Sequence, residues 1–239
     1  MQISTKAIVV SKLRYKDHDL IVKCYTEQYG IKTYLLKSIL KNRKSKFKAA
    51  YFQPLTIIEI EAEHKTNRSL HFLKDIKVQN NFESIHTNII KSTIGMFLAE
   101  ILSIVLKEEE ENATLFNYLQ TSLVWFDENE TDTNFHYIFL IELTKYLGFY
   151  PDISHITLTH FNLEDGKFYN KDIGAHSISE KKLILFKQLL GIKFDVKKSS
   201  AFKPTEKLEF LNMILLYFQL HLDGFYRPKS VAVLNQVFN

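Results

Sequence analysis

The chain has 239 residues, of which 46% are hydrophobic and 24% charged, and its formal net charge is +4. That balance fits a folded globular protein of one large domain or two, and 7 glycines with 4 prolines favour long regular elements over low-complexity loops. The single cysteine, Cys24, excludes an internal disulfide and a cysteine-based zinc cluster. The most apolar stretch, 94–106, is interrupted by Glu100 and is too short for a membrane span. No apolar signal region opens the chain, so a cytoplasmic protein without membrane contact is expected.

The first 80 residues read as β structure. Ile3 and the runs 6–10, 20–25 and 32–36 are rich in apolar and β-favouring types at roughly regular spacing. Tyr29-Gly30 stands between the last two as a hairpin turn. Within 55–62, Ile58 and Ile60 alternate with Glu59 and Glu61, and 70–73 supplies a fifth strand. Five short strands predict a small barrel. An OB-fold is favoured over an SH3-like barrel, because five strands close with short edges and their loops present ligands.

After residue 80 the period changes. Phe82, Ile85, Ile89, Phe97, Ile101 and Val105 fall at helical spacing, and Asn80 with Glu83 has the form of a capping pair. The acidic run 108–111 reads as a solvated connection. Further helices are predicted over 115–126 and 135–147; Gly148 stops the second, and the short links imply antiparallel packing. Residues 149–178 break the pattern, with Glu164-Asp165-Gly166 between apolar runs as a small β-hairpin. Ser179 opens a helix ending at Gly191. Thr205 opens another through Leu222, with Leu208, Leu211, Leu215 and Leu222 on one stripe, and Ser230 opens a short last one. The expected class is α+β: a five-stranded OB-fold barrel in 1–80, then an α-helical domain in 81–239 carrying the hairpin.

Charge is spread unevenly. Residues 1–80 hold 16 Lys and Arg against 7 Asp and Glu, 81–160 hold 3 against 12, and 161–239 hold 12 against 8, for nets of +9, −9 and +4. The densest run is 37–48, where Lys37, Lys41, Arg43, Lys44, Lys46 and Lys48 stand with no acid among them. Such a run is either a solvated loop or the contact for a polyanion, most commonly nucleic acid. Arg14 and Lys32 are outer members of the same candidate surface. Tyr34, Phe47, Tyr51 and Phe52 interleave with these cations, as in a single-strand groove where cations follow phosphates and aromatic faces stack bases. Barrel core is the alternative for each aromatic, and Phe47, between Lys46 and Lys48, is the one picked for exposure.

Signatures of bond-breaking chemistry are lacking: no Gly-rich phosphate loop, nucleophile elbow or HExxH is present. Asp17 and Asp19 could take a divalent cation, or form a polar turn before the strand at Leu20. Glu59, Glu61 and Glu63 share one strand face, which reads as solvent-facing. His155 and His160 lack partners at metal spacing, and Cys24 reads as a small core residue.

Several segments resemble the bacterial recombination mediator family RecO. Ala7-Ile8-Val9-Val10-Ser11, Tyr15, Asp17-x-Asp19-Leu20-Ile21-Val22, Tyr25-Thr26-Glu27 and Gly30 are similar to its N-terminal domain, as are Lys44-Ser45-Lys46 and Gln53-Pro54-Leu55. Gly148-Phe149-Tyr150-Pro151 resembles the motif ahead of its zinc-finger segment, and Leu222-Asp223-Gly224-Phe225-Tyr226-Arg227-Pro228-Lys229-Ser230 with Leu234 resembles its C-terminal junction. The match runs in order over nearly the whole chain. Two departures stand out. The four zinc-binding cysteines of many members are absent from 149–178, so this segment is a cysteine-free remnant and no zinc or other cofactor is expected. Lys37-Ser38-Ile39 also replaces a glycine often found ahead of the basic loop.

The resemblance implies an OB barrel on a helical body and a non-enzymatic role in DNA repair by the RecF pathway. It implies binding of single- and double-stranded DNA, annealing of complementary strands, work with RecR, and RecA loading on DNA coated by single-strand-binding protein, in the nucleoid. That protein's acidic, apolar C-terminal tail needs an apolar pocket rimmed by cations. The C-terminal third offers Phe194, Phe202, Phe210 and Tyr217 beside Lys197, Lys198, Lys203 and Lys207. The other readings are an RNA-binding OB protein and a metal-dependent nuclease using Asp17 and Asp19.

Overall fold

Five strands with largely alternating side chains build the first part of the molecule. They are β1 (Gln2–Tyr15), β2 (Asp19–Thr26), β3 (Gly30–Leu36), β4 (Ile57–Glu63) and β5 (Leu70–Asn80). The structure is a computed structural model and describes residues 1–41, 47–65, 68–80, 82–107, 110–130, 133–191 and 204–238. The strands close into a barrel in the order β1-β2-β3-β5-β4, with β1 pairing back onto β4 and a parallel contact between β3 and β5. Ile3, Val9, Leu20, Val22, Cys24, Tyr34, Leu36, Ile58 and Ile60 fill its interior. Burial pushes the Cys24 thiol up to about 12, as befits an inert core group.

This is the expected OB barrel, with two local differences. Ile3 and the 6–10 run belong to one strand, not two. β1 pairs with β4 through its first half and with β2 through its second, and its register with β2 shifts between Val9 and Ser11. The expected capping pair does not form either. Asn80 is the last residue of β5 and pairs with Ile57, and the Glu83 side chain makes no cap.

α1 (Ser84–Thr87) is short, and the chain breaks at Asn88 before α2 (Ile89–Val105), whose first N–H groups the Asn88 side chain accepts. A Cβ on Gly95 would lie 3.2 Å from Ile85 Cγ2, so the glycine lets α2 close onto its neighbours. Lys23, on the outer face of β2, donates to the carbonyls of Ser103 and Leu106 at 3.1 and 3.4 Å. It thereby caps the C-terminal end of α2 and ties that helix to the barrel. α3 (Ala113–Glu128) follows, with the Phe116 ring 6.1 Å from Tyr25.

The chain separates into two units, Met1–Thr131 and Asp132–Asn239, which groups α1 to α3 with the barrel. In the second unit α4 (Phe135–Tyr146) stops before Gly148, at φ +86. The expected hairpin is β6 (His160–Asn162) with β7 (Lys167–Tyr169), turning through Gly166 at φ +69. A third strand, β8 (Ser177–Ser179), joins it in the order β7-β6-β8. α5 (Glu180–Leu189), α6 (Pro204–His221) and α7 (Val231–Phe238) complete the unit. Phe161 sits 4.8 Å from both Phe168 and Phe186 and 6.0 Å from Tyr217, so aromatic packing holds the small sheet. Among the described residues no helix is long and apolar enough to cross a membrane.

Candidate nucleic-acid interface

Three segments meet at one end of the barrel: the β1–β2 turn, the chain leaving β3, and the start of β5. Lys16 turns the hairpin at φ +52 and Ser38 turns the chain out of β3 at φ +54. Two hydrogen bonds join these turns. The Ser38 N–H donates to Asp19 Oδ1 at 2.7 Å, and the Leu40 N–H donates to the His18 carbonyl at 3.0 Å. Ile39, between them, is buried in the barrel core and anchors the segment. Lys37 and Lys41 are therefore held beside the hairpin tip and are exposed there, together with Arg14 and Lys16.

Arg14 Nη2 donates to the Asp17 carbonyl at 2.9 Å, which orients the guanidinium along the tip. Lys37 Nζ lies 5.3 Å from the Phe72 ring centroid and Lys16 Nζ lies 5.4 Å from that of Tyr15. Lys48 is exposed on the far side of the basic run. Lys32 is not part of this cluster. It sits half-buried near the opposite end of β3, about 17 Å from Lys37 at 3.4 Å per residue. Arg43, Lys44 and Lys46 lie outside the described residues.

The aromatics follow the barrel-core alternative, and Phe47, picked for exposure, also packs in part against the core. Tyr34 and Phe52 are fully buried in the core, which removes them as stacking surfaces. Phe47 and Tyr51 are half-buried and pack against that core. Sequence reasoning missed Tyr15 and Phe72, which are 39% and 38% exposed. Their outward parity follows from cross-strand pairing, which the sequence does not display.

Asp19, considered as a metal ligand, spends one carboxylate oxygen on the Ser38 N–H, and the described residues hold no group of three or more His, Cys, Asp or Glu placed for a metal. In the C-terminal unit, Phe210 is buried edge-on against Tyr137, and the Tyr217 hydroxyl donates to the Phe149 carbonyl. Both are core. Lys207 donates to Thr133 Oγ1 at 3.2 Å and lies 5.4 Å from the Phe238 ring. Phe194, Lys197, Lys198, Phe202 and Lys203 lie outside the described residues.

A closed five-stranded barrel with cations gathered at one end, followed by a helical region with a small three-stranded sheet, defines an OB-barrel protein with a helical body. Residues 1–82 match the family model described as recombination protein O N terminal, and residues 86–230 match recombination protein O C terminal. A protein of Flavobacterium psychrophilum named DNA repair protein RecO is 45% identical over 239 residues, covering 100% of both chains. The RecO of Christiangramia forsetii is 45% identical over 238 residues with 100% of both covered, and that of Bacteroides fragilis is 34% identical over 239 residues with 98% of both covered. The chain belongs to the RecO family.

Proposed function

We infer that this chain is a DNA repair protein that binds single- and double-stranded DNA and anneals complementary strands. With RecR, it helps RecA load on DNA coated by single-strand-binding protein, in the RecF pathway. It acts by binding, without making or breaking covalent bonds, and it is nucleoid-associated because its ligand is. Family membership supports the repair role. The observation that carries the DNA reading is the pair of hydrogen bonds from Ser38 to Asp19 and Leu40 to His18, which gathers Lys37, Lys41, Arg14 and Lys16 at one end of the barrel.

Two DNA strands repel each other along their whole length. A surface that neutralises phosphates on both releases counterions and raises the local concentration of one strand near the other. Annealing needs no more than that, provided bases stay free to pair. The tail of single-strand-binding protein is assigned to the second unit, where Lys207 is the described cation and Lys197, Lys198 and Lys203 extend the basic stretch.

Annealing of labelled complementary oligonucleotides, bare and coated with single-strand-binding protein, tests this reading. Acceleration in both cases is expected, and its loss in a variant with Lys37, Lys41 and Lys48 all replaced by Ala. Tighter binding to structured RNA than to DNA would favour the RNA reading. Magnesium-dependent cleavage lost in Asp17→Asn would favour a nuclease.

A further inference from the structure

The barrel is closed along its thinnest seam beside a stacked pair of histidines. Among the described residues two bridged pairs join β3 to β5, Thr33 with Leu70 and Tyr34 with His71, whereas β2 and β3 pair without a break from Leu20–Leu36 to Thr26–Gly30. His71 is turned inward and is 6% exposed. His64, just past the end of β4, reaches the same place: its ring stacks on that of His71, with centroids 4.3 Å apart and planes 29° apart. His64 Nε2 lies 2.9 Å from the Tyr34 hydroxyl, and the Tyr34 ring lies 6.2 Å from that of His71. The two imidazoles therefore span the residues that make the seam.

We propose that the His64–His71 stack is a pH-sensitive latch on the β3–β5 seam, holding the barrel closed while the rings are neutral and releasing the seam when both take a proton. Two imidazolium charges in contact repel each other. Tyr34 stays a neutral phenol, because burial opposes its ionisation, so its bond to His64 is not an ion pair. The Cys24 thiol, on β2 near Tyr34, is pushed up to about 12 by burial and is neutral too. Tyr29, from the β2–β3 turn, sets its ring at 75° to that of His64 with centroids 5.4 Å apart. The Met1 amine donates to the His64 carbonyl at 2.7 Å and adds positive charge. Glu63, the residue before His64, lies at the surface and pairs with Lys65 at 3.4 Å, with Lys74 of β5 nearby.

A free imidazole titrates near pH ~6.5. In the opened seam each ring is solvated and takes its proton independently, whereas in the closed stack the second proton meets the charge of the first. The open form therefore binds more protons below that pH. Closure is fully present above it and weakens as pH falls. Partial release is possible because two bridged pairs and one stack part while β1 keeps its longer ladders to β2 and β4. Phe72 follows His71 on β5 and holds the Lys37 ammonium 5.3 Å from its ring centroid, so release of the seam also frees Lys37. The latch works independently of what the barrel binds.

Hydrogen exchange of the full chain, read by mass spectrometry at about pH 7.5 and about pH 5.5 with intrinsic rates divided out, tests the latch. Exchange in peptides covering 30–36 and 70–76 should rise about tenfold for each pH unit below ~6.5, the increment for one extra proton in the open form, while the β1–β2 hairpin stays protected. His71→Phe keeps a ring in the stack and removes one charge. His64→Gln keeps a partner for the Tyr34 hydroxyl and removes the other. Each variant should hold the seam equally protected at both pH values. Proton NMR of the wild type needs no variant: the two imidazoles should titrate in two separated steps. Equal seam protection at both pH values in the wild type would overturn the latch, as would a pH dependence that survives in both variants. Exchange that rises equally in the hairpin would assign the effect to unfolding of the whole unit and overturn it. So would two rings that titrate together while the seam stays closed, since the stack would then tolerate both charges.

Discussion

Asp127, near the end of α3, caps a helix that starts 43 residues earlier: its Oδ1 accepts the Ser84 N–H at 2.8 Å. The same oxygen accepts the Ile85 N–H at 2.8 Å, and Oδ2 accepts the Glu83 N–H at 3.1 Å. The buried Lys91 ammonium completes the junction, donating to Ser84 Oγ, the Asp127 carbonyl and the Asn129 carbonyl at 2.7, 3.0 and 2.6 Å. One charged pair of side chains thus satisfies the open end of α1 and the last carbonyls of α3 together.

Asp127→Ala leaves those N–H groups without an acceptor and should destabilise the first unit by about 2 kcal/mol. Asp127→Asn, which keeps an acceptor oxygen, should recover part of that. Urea unfolding followed by circular dichroism measures both. A shifted midpoint at constant slope is the expected form, because the surface exposed on unfolding is the same.

Replacing Lys37, Lys41 and Lys48 together by Ala removes three proposed phosphate contacts. If wild type neutralises about six phosphates on a duplex, log K falls with log salt at a slope of about −5, and the variant should flatten it to about −3. Melting temperature should barely move, since all three side chains are exposed. Fluorescence anisotropy at four or five salt concentrations decides it, and an unchanged slope would remove this end of the barrel as the phosphate contact.

His136, buried on α4 against the Tyr137 ring and stacked on Phe238, has its pKa pushed down to about 3, first by desolvation and then by the nearby Lys207 charge. The unfolded chain therefore takes up a proton near pH 6.5 that the folded chain refuses until about 3. The stability this burial allows is fully present above pH 6.5. It falls as pH drops below that, at up to about 1.4 kcal/mol per pH unit for this group. Unfolding measured from pH 7 to 4 should be less pH-dependent in His136→Phe than in wild type.

The purified protein should carry no stoichiometric zinc. The segment 149–178 has no cysteine, and two of its three histidines have partners: His160 Nδ1 is 3.0 Å from Thr159 Oγ1, and His176 Nδ1 is 3.7 Å from Glu164 Oε2. Phe161→Ala, which opens the aromatic cluster, should unfold the small sheet at a cost of about 3–5 kcal/mol, while a chelator should leave it intact. Elemental analysis of the native protein, with melting in the presence of EDTA, checks the two claims separately.

Sequence and structure divide the account at a definite level. Alternation of Ile58 and Ile60 with Glu59 and Glu61, helical spacing of Phe97 and Ile101, and the stop at Gly148 are local patterns. They reflect backbone period and a single φ value, so the elements were legible from neighbours along the chain. The basic run was legible for the same reason. What the sequence determined alone was therefore the five strands, the main helices and the presence of a densely basic segment.

Only the tertiary structure decided which side chains face each other. Asp127 caps α1 in place of the adjacent Asn80 because the cap depends on a helix end arriving through space. Tyr34 went inside and Tyr15 and Phe72 stayed out because strand pairing sets parity across the barrel, and no short window of sequence contains both partners of a pair; Phe52 is buried from a short 3-10 turn, Ala49–Phe52, that packs on the barrel core. Lys32 left the cationic cluster because the extended β3 carries it away from Lys37, and Lys16 joined it because the Ser38–Asp19 hydrogen bond brings the chain leaving β3 against the β1–β2 turn, two segments distant in sequence.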